Sequence, residues 1–162
     1  MINTFYAAQL ALLKSWSKGK GNSNACRWCK DDKNGDYGLI VDGCGSSLVI
    51  IPKSEFSISE EWLLKEIGAP CNLNGLMQDI IYNDIEYKLA QKTGYTIMSD
   101  GKQLAIYDTG EKQAYIYENI YKGILNTKNP DLRFWVRSDK HPVIVKYYDL
   151  IVYVILPVKV KA

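Results

Sequence analysis

Apolar positions recur along this chain with two different spacings, and the change of spacing marks its elements. Phe5, Ala8, Leu12, Leu13 and Trp16 fall on one stripe of a helical repeat, so Thr4 to Trp16 is predicted to be a helix, capped by Asn3 or Thr4. Ser57-Ile58-Ser59-Glu60 offers a capping box to a short helix through Glu66, with Trp62, Leu63 and Ile67 inward and Gly68 closing it. The pairs Leu76-Met77 and Ile80-Ile81 predict a third helix that starts at Asn72 or Asn74 and runs to Tyr82. Ile120-Tyr121 and Ile124-Leu125 repeat that spacing, predicting a helix from Asn119 to Leu125 that stops before Pro130.

Between and after these segments the period falls to two, or to short apolar runs between turn residues. Strands are expected at Tyr37 to Val41, Ser47 to Ile51, Glu86 to Leu89, Tyr95 to Ser99, Gln103 to Tyr107, Gln113 to Tyr117, Leu132 to Arg137, Pro142 to Tyr148 and Ile151 to Val160. Asp42-Gly43-Cys44-Gly45, Asp100-Gly101 and Asp149-Leu150 are the expected turns. No regular strand–helix alternation demands a parallel sheet, so the fold class is α+β, with short helices packed on antiparallel sheet. Two stretches, YGLIVDGCGSSLVII at 37 to 51 and YTIMSDGKQLAIYD at 95 to 108, echo each other as apolar run, Asp-Gly turn and apolar run.

With 162 residues the chain reads as a single domain, 1–162, that can be divided into pseudo-symmetric halves 1–70 and 71–162. The stretch 17–33 is expected to be a flexible loop, because Ser17 to Asn24 is rich in Gly, Ser and Lys. An apolar content of 47% rules out a mainly disordered chain. No apolar run is long enough for a spanning helix, and the N-terminus has the spacing of an amphipathic helix instead of a signal-peptide core, so a soluble cytoplasmic protein without a membrane partner is expected.

A net charge of +2 does not announce a nucleic-acid binder, but the charge is unevenly spread. Lys14, Lys18, Lys20, Arg27, Lys30 and Lys33 crowd the first part, whereas Glu55, Glu60, Glu61, Glu66, Asp79 and Asp84 dominate 54 to 84. Catalytic chemistry has little to work with, because the single His141 precedes Pro142 in a turn and no nucleophile or phosphate-binding motif is present. Adjacent Glu60 and Glu61 face different directions on a helix, which suits stabilisation of its first turn better than paired acid–base work. The expectation is therefore a protein that is no enzyme and takes no cofactor.

Cys26-Arg27-Trp28-Cys29 has the C-x-x-C spacing that can hold a metal or form a redox disulfide, but no second close pair completes a zinc site. Cys44 and Cys71 read as isolated, and thiols in a reducing compartment are the favoured reading. Tyr147 and Tyr148 beside Lys146, and Tyr115 and Tyr117 near Lys112, are candidates for stacking single-stranded bases, though Tyr also simply favours strands.

Ser99-Asp100-Gly101-Lys102-Gln103-Leu104-Ala105-Ile106 resembles the T-D-G-x-x-L-A hairpin of the bacterial DNA polymerase sliding clamp family. Tyr117 to Leu125 with Leu132 to Val136 is similar to that family's second helix and following strand, and His141 to Val145 with Tyr153 to Val160 to its closing strands. The likeness is strongest over 72–162. It implies a DNA-clamp-like pseudo-repeated domain, although a clamp subunit has three such domains and this chain can supply one. It further implies a non-catalytic domain, of phage or mobile-element origin, that binds the DNA backbone or a replication or repair protein, with self-assembly into a homo-oligomer needed to close a ring. The helices are expected to face the DNA backbone, with Lys14, Lys18, Lys20 and Lys122 as the candidate phosphate contacts, and Leu156, Pro157 and Val158 line the expected peptide-binding surface. The alternative is a stand-alone protein-interaction module that shares only the fold, with Cys26 and Cys29 as a metal or redox accessory.

Overall fold

Three α-helices, two short 3-10 helices (Lys53–Glu55 and Asp84–Glu86) and ten strands make up the regular structure among the described residues of the computed structural model, which are 3–18, 27–40, 47–118, 123–125 and 129–160. The chain divides into two compact units, Met1–Tyr82 and Asn83–Ala162. Each has its own buried apolar residues and is α+β or β in character.

In the first unit the order is α1 (Asn3–Lys18), β1 (Arg27–Lys30), β2 (Tyr37–Ile40), β3 (Ser47–Ile51), α2 (Glu60–Glu66), β4 (Cys71–Asn72) and α3 (Leu73–Tyr82). The strands lie in the order β4-β1-β2-β3, with β1–β2 and β2–β3 antiparallel and β1–β4 parallel. Because paired residues share a face, Trp28, Leu39 and Val49 point one way while Cys29, Gly38 and Ile50 point the other. Helix α1 packs against β2 and β3, and α2 is fastened to the first face at its ends: Glu60 meets Lys30 at 2.6 Å and accepts the Tyr37 hydroxyl at 2.8 Å, and Trp28 Nε1 donates to the Gly68 carbonyl at 2.7 Å. Trp16 of α1 packs edge-on against Trp62 of α2, with ring centroids 5.1 Å apart. Helix α3 serves the opposite face, where the Leu73 side chain comes within 3.1 Å of the position a Cβ on Gly38 would take.

Several local expectations change here. Within the stretch 17–33 read as a loop, Ser17 and Lys18 extend α1, and Arg27–Lys30 forms a strand in which Trp28 and Cys29 are buried. The cap of α2 is Ser59, whose side chain accepts from Trp62 N–H at 3.3 Å, and not Ser57, whose N–H and hydroxyl both donate to the buried Gln9. The Asp42-Gly43-Cys44-Gly45 turn lies outside the described residues.

The second unit contains β5 (Lys88–Ser99), β6 (Lys102–Asp108), β7 (Gln113–Tyr117), β8 (Leu132–Val136), β9 (Val143–Tyr147) and β10 (Leu150–Ile155), ordered β10-β9-β8-β5-β6-β7 with every pair antiparallel. The two strands expected at Glu86 to Leu89 and Tyr95 to Ser99 are one strand, β5. Its first three residues, Lys88 to Ala90, pair with β8, and from Gln91 onward it pairs with β6, with a register shift between Lys92 and Thr96, around Gly94. Such an irregularity bends a strand without ending it. Asp100 and Gly101, at φ 51 and 75, form the two-residue turn of the β5–β6 hairpin, as the Asp-Gly pair predicts.

β10 ends before Pro157, and the chain that follows returns to the far edge of the sheet, where Val158 N–H donates to the Tyr115 carbonyl of β7 at 2.7 Å. One exposed edge group is thereby satisfied by the tail. Of the helix expected over Asn119 to Leu125, residues 119–122 lie outside the described residues, while Gly123 and Ile124 form a turn and Ile124 and Leu125 are buried.

Candidate functional site

Alternation along β8 sends Phe134 and Val136 into the core of the second unit and leaves Arg133 and Trp135 on the outward face. Phe134 stacks on Tyr107, with centroids 4.2 Å apart, which fixes the strand from below. In the β8–β9 ladder Arg133 is the direct partner of Lys146. Like charges directly opposite each other destabilise a sheet, so this pair costs stability where a neutral pair would not.

The surroundings relieve one of the two cations. Lys146 Nζ lies 3.2 Å from the Asp84 carboxylate and 4.8 Å from the centroid of the Trp135 ring. Arg137, next on the same face, is held by Glu86 at 2.7 Å. Arg133 is exposed and has no ion pair or hydrogen bond to any described residue.

Arg133 stands between two depressions. One, of about 480 Å³, is lined by Leu89, Gln91, Lys92, Asn129 and Arg133 over the Tyr107 and Phe134 rings, a size within the range of roughly 300–1,000 Å³ common for ligand sites. The other, of about 330 Å³, is lined by Asp131, Arg133, Trp135, Tyr148 and Asp149. Tyr148 occupies the β9–β10 turn at φ 55, a left-handed conformation that costs a non-glycine residue about 1–2 kcal/mol. The residue is 67% exposed, and its ring packs edge-on to Tyr147 at 4.7 Å. A hydrogen bond to Asp131 raises the pKa of its hydroxyl. A planar guanidinium that lines one depression with two aromatic side chains can pair with phosphate through two N–H donors and can stack on a base.

Of the residues singled out in the sequence, Lys14 and Lys18 are exposed on α1 one turn apart, in the first unit, while Lys20 and Lys122 lie outside the described residues. Leu156 is 47% exposed, and Pro157 and Val158 are half-buried beside the β7 edge. Cys26 lies outside the described residues, and Cys29 is buried in β1. Cys71, read as isolated, is the register partner of Cys29, because β4 runs parallel to β1. No group of three metal-ligating side chains occurs among the described residues. His141 Nδ1 is 2.6 Å from the Ser138 hydroxyl, which also accepts Lys140 N–H at 3.0 Å, so this pair closes its own turn.

Lys146, Tyr147 and Tyr148 are the sequence candidates that fall at this surface, and Arg133 and Trp135 join them only in the structure. The signal was present in Leu132-Arg133-Phe134-Trp135-Val136, whose alternation places Arg and Trp on one face. What it could not supply was the strand beside them. No helix among the described residues is long and apolar enough to cross a membrane. Compared with protein-family models, curated proteins and solved structures, the chain matches none.

Proposed function

We propose that the protein is a non-catalytic module that binds single-stranded nucleic acid, without sequence preference, on the outward face of β8 and β9. The observation that carries this is the direct Arg133–Lys146 pairing beside Trp135, a like-charge juxtaposition that a bound phosphate would turn from a cost into an attraction. Trp135 and Tyr148 are the stacking platforms, and Arg133 and Lys146 are the phosphate contacts. Stacking tolerates any base, since every base has a π-face, at about 1–3 kcal/mol each. Asp84 competes with phosphate for Lys146, which keeps affinity modest and sensitive to salt.

The resemblance of 72–162 to a sliding-clamp domain supports a role in replication or repair, and the clamp-like pseudo-repeat belongs to the same proposal. A second reading, a protein-interaction module, is favoured by the exposed Leu156 next to Pro157 and Val158, whose tail already lies against a strand edge. Titration of a fluorescent oligothymidylate and of a duplex of equal length, at two salt concentrations, separates the two. Binding of the single strand that weakens with salt supports the nucleic-acid reading; no binding of either at low salt leaves the interaction reading.

A further inference from the structure

Cys29 and Cys71 carry a second inference, independent of the nucleic-acid surface. They come from strands far apart in sequence, yet they are direct partners in the parallel β1–β4 ladder. Neighbouring strands lie about 4.8 Å apart, and paired residues direct their side chains to the same face, which falls inside the window of roughly 4.4–6.8 Å between Cα atoms that a disulfide needs. The neighbouring Cys71 thiol is near enough to raise the pKa of Cys29. Cys29 is fully buried over Gly38 and beside Leu73, while Cys71 is exposed on the two-residue edge strand.

We infer that Cys29 and Cys71 form a reversible dithiol–disulfide site, closed by exchange with a low-molecular-weight disulfide. The exposed Cys71, as thiolate, attacks one sulfur of the small disulfide. That bond breaks, one small thiolate leaves and takes up a proton, and Cys71 is held in a mixed disulfide. Cys29 then gives up its proton and attacks Cys71 Sγ, breaking the mixed bond and releasing the second small thiol. Two protein thiols are oxidised and one small disulfide is reduced to two thiols. Burial first, and Cys71 second, push the Cys29 thiol up to about 12, so the first attack falls to the exposed Cys71, and the second step rests on the register that holds Cys29 directly opposite Cys71. The closed bond ties the start of α3 to β1.

Trypsin separates all four cysteines, placing Cys26 in residues 21–27, Cys29 in 28–30, Cys44 in 34–53 and Cys71 in 66–88. The full chain is treated with oxidised glutathione, blocked with iodoacetamide, digested and mapped without reduction. The expected result is a linked 28–30/66–88 pair that dithiothreitol removes, unchanged in yield in Cys26→Ser and absent in Cys71→Ser. A stable glutathione adduct on Cys71 with Cys29 left alkylatable after denaturation, or a 21–27/28–30 link in its place, overturns the assignment.

Discussion

Arg133 and Lys146 face each other directly across the β8–β9 ladder, two cations in a position where opposite or neutral side chains are the stable choice. Replacing Arg133 with Thr should therefore leave the fold intact and raise its unfolding free energy by about 0.2–1 kcal/mol, while weakening nucleic-acid binding. Urea denaturation followed by tryptophan fluorescence measures the first effect. A loss of stability in Arg133→Thr would mean that the guanidinium serves the fold.

Gln9 is buried in α1 and makes four hydrogen bonds: its amide N donates to the Phe5 and Glu55 carbonyls at 3.0 Å each, and its oxygen accepts Ser57 N–H at 2.8 Å and the Ser57 hydroxyl at 3.1 Å. It fastens α1 to the segment leading into α2. Gln9→Leu keeps the volume but strands the Ser57 N–H and the Glu55 carbonyl, and is expected to cost about 2–4 kcal/mol in chemical denaturation.

Gly38 lies under a crowd. A Cβ there would meet Leu48 Cδ1 at 3.0 Å, Leu73 Cδ1 at 3.1 Å and Cys29 Cβ at 3.2 Å. Gly38→Ala should destabilise by about 1–3 kcal/mol through overpacking, and thermal unfolding with bound dye should show the lower midpoint.

Hydrogen bonds from Lys30 and then from Tyr37 lower the pKa of Glu60. A carboxylate depressed in the folded state adds stability that is present above its unfolded pKa and is lost as pH falls through the folded value. The stability gap between wild type and Glu60→Gln should thus be present at pH 7 and shrink as the pH falls below about 4. Melting the two proteins in parallel across that range tests it. The gap is small, since the pair is partly exposed, and a gap that grows in acid would contradict the assignment.

The elements that could be read from the sequence are those whose signal is local. Leu73–Tyr82 and Glu60–Glu66 follow helical spacing with a cap or a glycine stop, and the Asp100-Gly101 hairpin follows its turn chemistry. β1 and β4 were not legible, because Arg27–Lys30 is short and follows a loop-like run, and Cys71–Asn72 is a strand only by virtue of its neighbour. The continuity of β5 was hidden for the opposite reason: Gly94 looks like an end but forms a bend. Tyr148 shows the same limit at the site, since a left-handed tyrosine in a turn has no sequence signature, and the like-charge pairing of Arg133 and Lys146 exists only once the register of β8 and β9 is set.

The nucleic-acid proposal is tested most directly by the salt dependence of oligothymidylate binding, measured by fluorescence anisotropy for wild type, Arg133→Ala and the double variant Lys14→Ala/Lys18→Ala. Two phosphate contacts on a single strand give a slope of about −1.4 in log K against log salt, and loss of one contact brings it to about −0.7. Arg133→Ala should show the shallower slope and weaker binding, with the double variant close to wild type. Wild-type binding that is absent, or that falls with Lys14→Ala/Lys18→Ala and not with Arg133→Ala, would contradict the site on β8 and β9.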